Sequence, residues 1–237
     1  IMKKNIYTVI PARGGSKSIP RKNIKIVQGY PLIKYSIDYS IESNLISKTV
    51  VSTDDDEIAK ISKNLGASVP FIRPSELAED DTEDFPVIEH ALNELESIYS
   101  EIIDIIVLLR PTSPLRPPKL IERGLELLAK NPSASSVRAV TLASQHPFRQ
   151  WMQEGDYIKG FSMTEKNPEP FNKPRQILPQ VYFQTGDIEL IRRETIKNGS
   201  VSGSKVLPLI IEPSDVFDID NLQDLKKAEE KFEKEHS

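Results

Sequence analysis

Residues Ile6-Tyr7-Thr8-Val9-Ile10 run directly into Pro11-Ala12-Arg13-Gly14-Gly15-Ser16-Lys17-Ser18-Ile19-Pro20-Arg21-Lys22-Asn23, a short apolar strand opening into a glycine-containing, cation-rich loop. Open α/β sheets bind ligands beyond the carboxyl ends of their strands, and this junction has that form. Gly14 and Gly15 let the backbone approach a ligand closely, since no Cβ intervenes. Successive N–H groups in such a turn make an anion-binding concavity, and Arg13, Lys17, Arg21 and Lys22 add charge-assisted bonds to phosphate oxygens. The ligand implied is a polyphosphate; the competing interpretation is a solvated basic loop. Neither a Walker A sequence nor a Gly-x-Gly-x-x-Gly dinucleotide fingerprint fits the segment, which argues against a nicotinamide oxidoreductase.

Outward from this loop, strand and helix patterns alternate. Strands are expected at 6–10, 49–52, 69–72, 102–109, 135–140, 182–191 and 206–211. Helices are expected at 32–43, from about 54 with Thr53 to Asp56 as capping residues, at 85–100, at 117–130 with Pro117 at the start, and at 221–235. The nearly continuous apolar run from Ile102 to Leu109 suits a central parallel strand covered on both faces. The pattern predicts an α/β fold: a mostly parallel sheet with helices on both faces, an α/β/α sandwich. Residues 1–140 and 181–237 would form this domain. Between about 141 and 180 the alternation breaks, with five prolines (147, 168, 170, 174, 179) and the aromatics Phe148, Trp151, Phe161 and Phe171. That stretch is either an extended loop or an excursion that packs on something else.

A length of 237 residues fits one large domain with a substantial core. The net charge of −4 argues against generic nucleic-acid binding. No apolar run approaches the roughly 18 residues needed to span a bilayer, so no membrane partner is expected. Ile1-Met2-Lys3-Lys4 leads into a strand without the apolar core of a signal peptide. The absence of cysteine is compatible with a reducing cytoplasm, the expected location, and removes any thiolate metal site. His90, His146 and His236 are too scattered for a zinc centre, leaving a hard cation on oxygen ligands as the metal to expect.

Asp218-Ile219-Asp220 places two carboxylates on one face of an extended segment. Such acids repel unless a cation or proton lies between them, and magnesium commonly takes one or two carboxylates plus substrate phosphates. The alternative is a solvated turn, or a cap in which Asp220 starts the last helix. Arg110-Pro-Thr-Ser-Pro-Leu-Arg116 follows the most apolar strand, where it serves either as a rigid turn or as a substrate contact through Thr112 and Ser113.

These segments together resemble the acylneuraminate (nonulosonic acid) cytidylyltransferases, the CMP-sialic acid synthetase family. Its Ala-Arg-x-x-Ser-Lys-x-x-x-x-Lys-Asn loop is matched by Ala12, Arg13, Ser16, Lys17, Lys22 and Asn23. The resemblance spans roughly residues 5 to 230 and adds weight to a Rossmann-like nucleotidyltransferase fold. It implies nucleotide contacts from this loop including Gly14, from Asp54 in Ser52-Thr53-Asp54, and from a cytosine and ribose segment holding Arg73, Asp81 and Thr82. It implies catalytic roles for Arg13, Lys17 and Lys22, and magnesium (or manganese) on Asp218 and Asp220. Sugar-acid contacts are implied for Arg110, Thr112, Ser113, Arg175, Gln176, Gln184 and Thr185. The interrupted segment corresponds to a dimerisation excursion, so a homodimer is expected. The chain departs from the pattern at Thr185-Gly186-Asp187, where the family often has Asn-Gly, at the sugar end of the site. The implied reaction joins CTP to a nonulosonic keto sugar acid. The alternatives are an eight-carbon keto sugar acid, a diamino nonulosonate, or a nucleotide-binding regulatory module without catalysis.

Overall fold

The computed structural model describes residues 4–235, with side chains as far as Phe232; Ile1 to Lys3 and the His236-Ser237 end lie outside the described residues. From the N-terminus the elements run β1 (Ile6–Pro11), the short pair β2 (Ile26–Val27) and β3 (Tyr30–Pro31), α1 (Leu32–Ile41), β4 (Lys48–Ser52), α2 (Asp56–Asn64) and α3 (Asp84–Tyr99). There follow β5 (Ile105–Leu108), α4 (Leu120–Lys130), β6 (Ser136–Leu142), the hairpin strands β7 (Trp151–Glu154) and β8 (Tyr157–Gly160), and β9 (Tyr182–Arg192). The chain closes with α5 (Arg193–Lys197), β10 (Val206–Ile210) and α6 (Leu222–Glu235).

The main sheet has the order β10-β6-β9-β5-β1-β4. Side chains of a strand alternate between faces, and here each face finds its own helices. Ile6 and Ile10 of β1, with Ile105 and Val107 of β5, pack against Ile33 and Ile37 of α1, Ile58 of α2 and Leu120 of α4. Tyr7 and Val9, with Ile106 and Leu108, pack against Ile88, Leu92 and Leu95 of α3 and Ile196 of α5. Burying each such aliphatic side chain contributes about 1.5–3 kcal/mol. A third cluster joins Leu225, Ala228 and Phe232 of α6 to Val27, Leu32, Ile219 and Ile19. Ile19 lies within the charged loop after β1, so α6 pins that loop by its one large buried apolar residue.

Three expectations change, and one alternative falls. The segment 69–72 is not a strand: beyond a single bridge from Ser68 to Val50, Pro70 and Pro74 supply no N–H for a ladder. The fourth helix begins at Leu120 rather than Pro117, because Lys119 takes a left-handed φ of 62° just before it. β5 is parallel only to β1; its other neighbour, β9, runs antiparallel, and β6 also pairs antiparallel with β9. The last helix is capped by Asn221, whose Oδ1 accepts N–H bonds from Gln223 and Asp224, and not by Asp220. No described helix is long and apolar enough to cross a membrane.

The segment between β6 and β9 carries its own small hairpin. Trp151 stacks on Phe171 at 4.2 Å between ring centroids, and His146 Nε2 lies 2.9 Å from the Pro179 carbonyl oxygen. Its outer side is apolar: Trp151, Met152, Tyr157, Ile158 and Phe161 are all exposed, Tyr157 to 81%.

Candidate active site

The loop after β1 is built by bonds that cross to the neighbouring strand. Ala12 is buried and donates its N–H to the Ser52 carbonyl at 2.9 Å; Gly14 N donates to Asp54 Oδ1 at 2.9 Å. A Cβ on Gly14 would fall 2.8 Å from Asp55 Oδ2, so only glycine passes here. Asn23, also buried, donates from Nδ2 to the Arg13 carbonyl at 2.9 Å and closes the loop on itself. Arg21 is drawn away from the ligand side: its guanidinium pairs with Asp55 at 2.5 and 3.0 Å and also with Glu57. Arg13, Lys17 and Lys22 remain as cations facing the cleft.

That cleft, about 440 Å³, opens at the carboxyl ends of β1 and β5, where Arg13, Ser16, Lys17, Arg73, Thr82 and Arg110 line it. At its mouth one carboxylate, Asp80, takes both Arg13 Nη2 at 2.7 Å and Lys17 Nζ at 2.5 Å. The bond from Lys17, with the nearby Arg13 charge, holds the Asp80 carboxyl below the usual range. Arg73 is only 4% exposed, and burial lowers its pKa. Among the described residues its Nε and Nη2 have no hydrogen-bond partner, Asp54 Oδ1 lying 3.9 Å away. Buried donors left unpaired cost about 1–3 kcal/mol each, so an acceptor entering the cleft beside Arg73 is favoured.

At the other end, Arg110 donates from Nη1 to Glu189 at 2.8 Å and from Nη2 to Asp84 at 2.5 Å. Burial pulls its pKa down, and the charges of Glu189 and Asp84 more than reverse this. Glu189, 1% exposed, also takes Arg138 Nη2 at 2.5 Å, while Arg138 Nη1 donates to Gln184. Arg116 is buried and donates to the Asp187 carbonyl at 2.6 Å, to Ser36 Oγ at 2.9 Å and to the Arg110 carbonyl; burial brings its pKa down to about 10. Both therefore brace the 110–116 turn.

β9 breaks its pairing with β6 here: Arg138 opposes Glu189 but Val140 opposes Gln184, so four residues, 185 to 188, bulge against one. Bulges re-aim side chains, and this one buries Thr185 and Asp187. A Cβ on Gly186 would lie 2.9 Å from Ser113 Oγ and 3.2 Å from Asp218 Oδ2, so the bulge backbone presses against the Asp218 segment. Ser113 Oγ, Thr185 Oγ1 and both Asp187 carboxylate oxygens are buried with no partner at hydrogen-bonding geometry among the described residues. Thr185 is still near enough to stabilise the Asp187 anion, but burial dominates and raises that pKa.

Asp218-Ile219-Asp220 ties both ends of the cleft together. Ile219 N donates to the Thr112 carbonyl at 2.8 Å, and its carbonyl accepts from Lys22 Nζ at 3.0 Å. The Asp220 pKa is raised by burial and then by the Asp218 charge, with the Lys22 charge opposing, and two neighbouring carboxylates of this kind suit a cation. Among the described residues no three His, Cys, Asp or Glu side chains form a metal cage. Two carboxylates suffice for magnesium when phosphates complete the shell.

Some implied residues stand apart. Arg175 and Gln176 are exposed on the excursion, where Arg175 Nη2 donates to the Ala143 carbonyl at 3.3 Å, and neither lines the cleft. Asp81 is exposed and outside the lining. Conversely, the structure brings to the site Asp80, Asp84, Glu189, Arg116 and Asp187, for which the sequence motifs carry no role. Asp80 and Asp84 belong to an acidic run that resembles a solvated turn, while Glu189 and Asp187 are charges inside a strand otherwise apolar toward its end. Those strand acids were the available signal.

A bulged mixed sheet, a phosphate-type loop after its first strand and a cation-lined cleft at the strand ends define a Rossmann-like nucleotidyltransferase. The chain belongs to the cytidylyltransferase family, whose sequence model matches residues 7–236, and within it to the acylneuraminate (nonulosonic acid) type. It is 32% identical over 227 residues to post-translational flagellin modification protein B of Campylobacter coli, covering 94% of this chain and 93% of that one. With CMP-N,N'-diacetyllegionaminic acid synthase of Legionella pneumophila it shares 31% identity over 234 residues, 96% of each chain. With pseudaminic acid cytidylyltransferase of Campylobacter jejuni it shares 28% over 229 residues, again 96% of each. The fold matches the structure of CMP:2-keto-3-deoxy-manno-octonic acid synthetase complexed with CTP at a TM-score of 0.73 and 17% identity, over 98% of this chain and 100% of that one.

Proposed function

We propose that this protein transfers CMP from CTP to a nonulosonic keto sugar acid, releasing pyrophosphate. The observation that carries the reading is the convergence of Arg13 and Lys17 on one carboxylate in the cleft, two cations placed to hold a single anionic group. The anomeric 2-hydroxyl of the sugar attacks the α-phosphorus; the new P–O bond forms as the α–β bridge breaks, and the hydroxyl proton passes to solvent. Such chemistry is mostly positioning and charge neutralisation. Arg13 and Lys17 would hold the β- and γ-phosphates and compensate charge on the leaving pyrophosphate. Lys22, already fixed on the Ile219 carbonyl, would sit between the phosphates and the Asp218–Asp220 pair. The unpaired donors of Arg73 suit the acceptor edge of the cytosine, with Asp54 and Thr82 beside them. Arg110, fixed by Glu189, suits the sugar carboxylate, with Thr112 beside it on the cleft wall. Ser113 and Thr185 are buried behind that wall and Gln184 is exposed outside it, so their sugar contacts would need the segment to move. Asp218 and Asp220 would hold magnesium or manganese, which when bound offsets phosphate charge.

A homodimer completes the reading. The excursion leaves a row of aromatic and aliphatic side chains largely exposed among the described residues, and Arg175 stands on it away from the cleft of its own chain. Apolar surface of this kind marks an interface. Arg175 and Gln176 would then serve the partner's sugar site. With no cysteine in the chain, a cytoplasmic setting is the one we propose.

The test is pyrophosphate release from CTP and magnesium across a panel of keto sugar acids. The reading expects turnover with nonulosonic acids, diamino forms included. Preference for an eight-carbon acid would reassign the substrate, and CTP binding without release with any acid would leave a regulatory module.

A further inference from the structure

Two carboxylates from one short segment rest on the cations of the cleft. Asp80 bridges Arg13 and Lys17, and four residues later Asp84 meets Nη2 of Arg110 at 2.5 Å. All five side chains line the same cleft. The cations they hold are the ones the proposed reaction gives to substrate anions: the phosphate end to Arg13 and Lys17, the carboxylate end to Arg110.

Their surroundings differ from those of the structural pairs nearby. Glu189, the other partner of Arg110, is 1% exposed and sits mid-strand, so it cannot leave without burying an unpaired charge. The side chains of Asp84 and Asp80 are 47% and 39% exposed and can turn into water. Exposed ion pairs contribute little and exchange readily. Arg110 therefore has one permanent partner and one replaceable partner, and the Arg13–Lys17 grip has a replaceable one. The bland account gives Asp84 a helix role, since it begins α3 where negative charge is favoured, and leaves Asp80 as a solvated acid. That account does not explain why both side chains turn into the cleft onto its cations.

We propose that Asp80 and Asp84 are resident counter-anions that hold the cations of the two anion subsites until a ligand displaces them, and so set affinity for those ligands. Asp80 stands in for the phosphates of CTP or pyrophosphate, and Asp84 for the carboxylate of the sugar acid. The proposal rests on the transferase reading above. Its consequence is a trade: each substrate anion competes with a built-in carboxylate on entry, and the same carboxylate returns to help expel the product.

Asp80→Asn and Asp84→Asn in the full chain separate the two subsites. Calorimetric titration with inorganic pyrophosphate reads the first; the KM for whichever sugar acid supports turnover reads the second. Asp80→Asn should tighten pyrophosphate binding on the order of fivefold, the combined size of the two exposed pairs it loses, with the sugar-acid KM unchanged. Asp84→Asn should lower the sugar-acid KM by a similar factor and leave pyrophosphate binding alone. Asp84→Ser retains a helix-start residue and serves if the Asn variant melts early. Unchanged or weaker binding in the matching arm overturns that half of the proposal. Equal shifts of both ligands by either variant would reduce it to a general charge effect and overturn the assignment of subsites. Lys17→Ala is the reference: if it leaves pyrophosphate binding intact, the phosphate-site reading fails rather than the role of Asp80.

Discussion

Lys17 carries its charge on a side chain that is 85% exposed and tied to Asp80, so its removal costs the fold little. If it compensates charge on the departing pyrophosphate, Lys17→Ala should lose about 3 kcal/mol of transition-state stabilisation, on the order of a hundredfold in kcat/KM. Steady-state pyrophosphate release beside a thermal melt checks this, and near-normal turnover in a folded variant counts against the role. Asp220 invites a different comparison. Because Asn221 caps α6, Asp220 is free of that duty, and Asp220→Asn or Asp218→Asn should change the magnesium response more than the melting temperature. Each should raise the magnesium needed for half-maximal rate on the order of tenfold or more, and the double variant should be inactive and folded. A fall in stability with an unshifted metal curve would return the pair to a structural role. At this scale the phosphate loop was legible because its residues are contiguous. Asp80 and Glu189 were not, since their partners lie far along the chain and only folding brings the charges together.

The elements explain why the loop takes one shape. Gly14 passes against Asp55, which caps α2 through Ile58 N at 2.9 Å and is gripped by Arg21. A methyl group there displaces a carboxylate with two other obligations, so Gly14→Ala should destabilise by about 1–3 kcal/mol. Gly15, where a Cβ would meet nothing within 4 Å, should tolerate alanine within about 0.5 kcal/mol. Urea titration of the two variants measures the difference, and equal effects would mean the Asp55 contact is not what restricts the loop. Element order was readable because apolar runs alternate with amphipathic stretches, whereas β1 and β5 are apolar throughout and only folding sorted their side chains between the α1–α2–α4 and α3–α5 faces. The failures came where backbone chemistry overrode hydrophobicity: prolines at 70 and 74 stopped a strand, and the left-handed Lys119 delayed a helix.

For the whole molecule, the main question is how the excursion is covered. Tyr157, Ile158 and Phe161 cannot reach the core of their own chain in this arrangement, and a second copy offers an equivalent apolar face. Sedimentation at micromolar concentration should show a dimer. Mixing inactive Arg175→Ala and Lys17→Ala chains should restore part of the activity, because each heterodimer then holds one site with both residues intact. A monomer, or no recovery after demonstrated exchange of chains, would overturn the shared site.

The sequence alone determined the alternation that makes an open α/β sheet, the anion-binding loop after its first strand and the acid pair near the end, because these depend on local spacing and residue chemistry. Only the tertiary structure decided the direction of β9, its four-residue bulge and the placement of Asp80, Asp84 and Glu189 on the cleft arginines and lysine. Strand direction is set by which edges meet in three dimensions. An ion pair between distant residues has no periodicity to betray it, only the geometry that brings its charges within bonding reach.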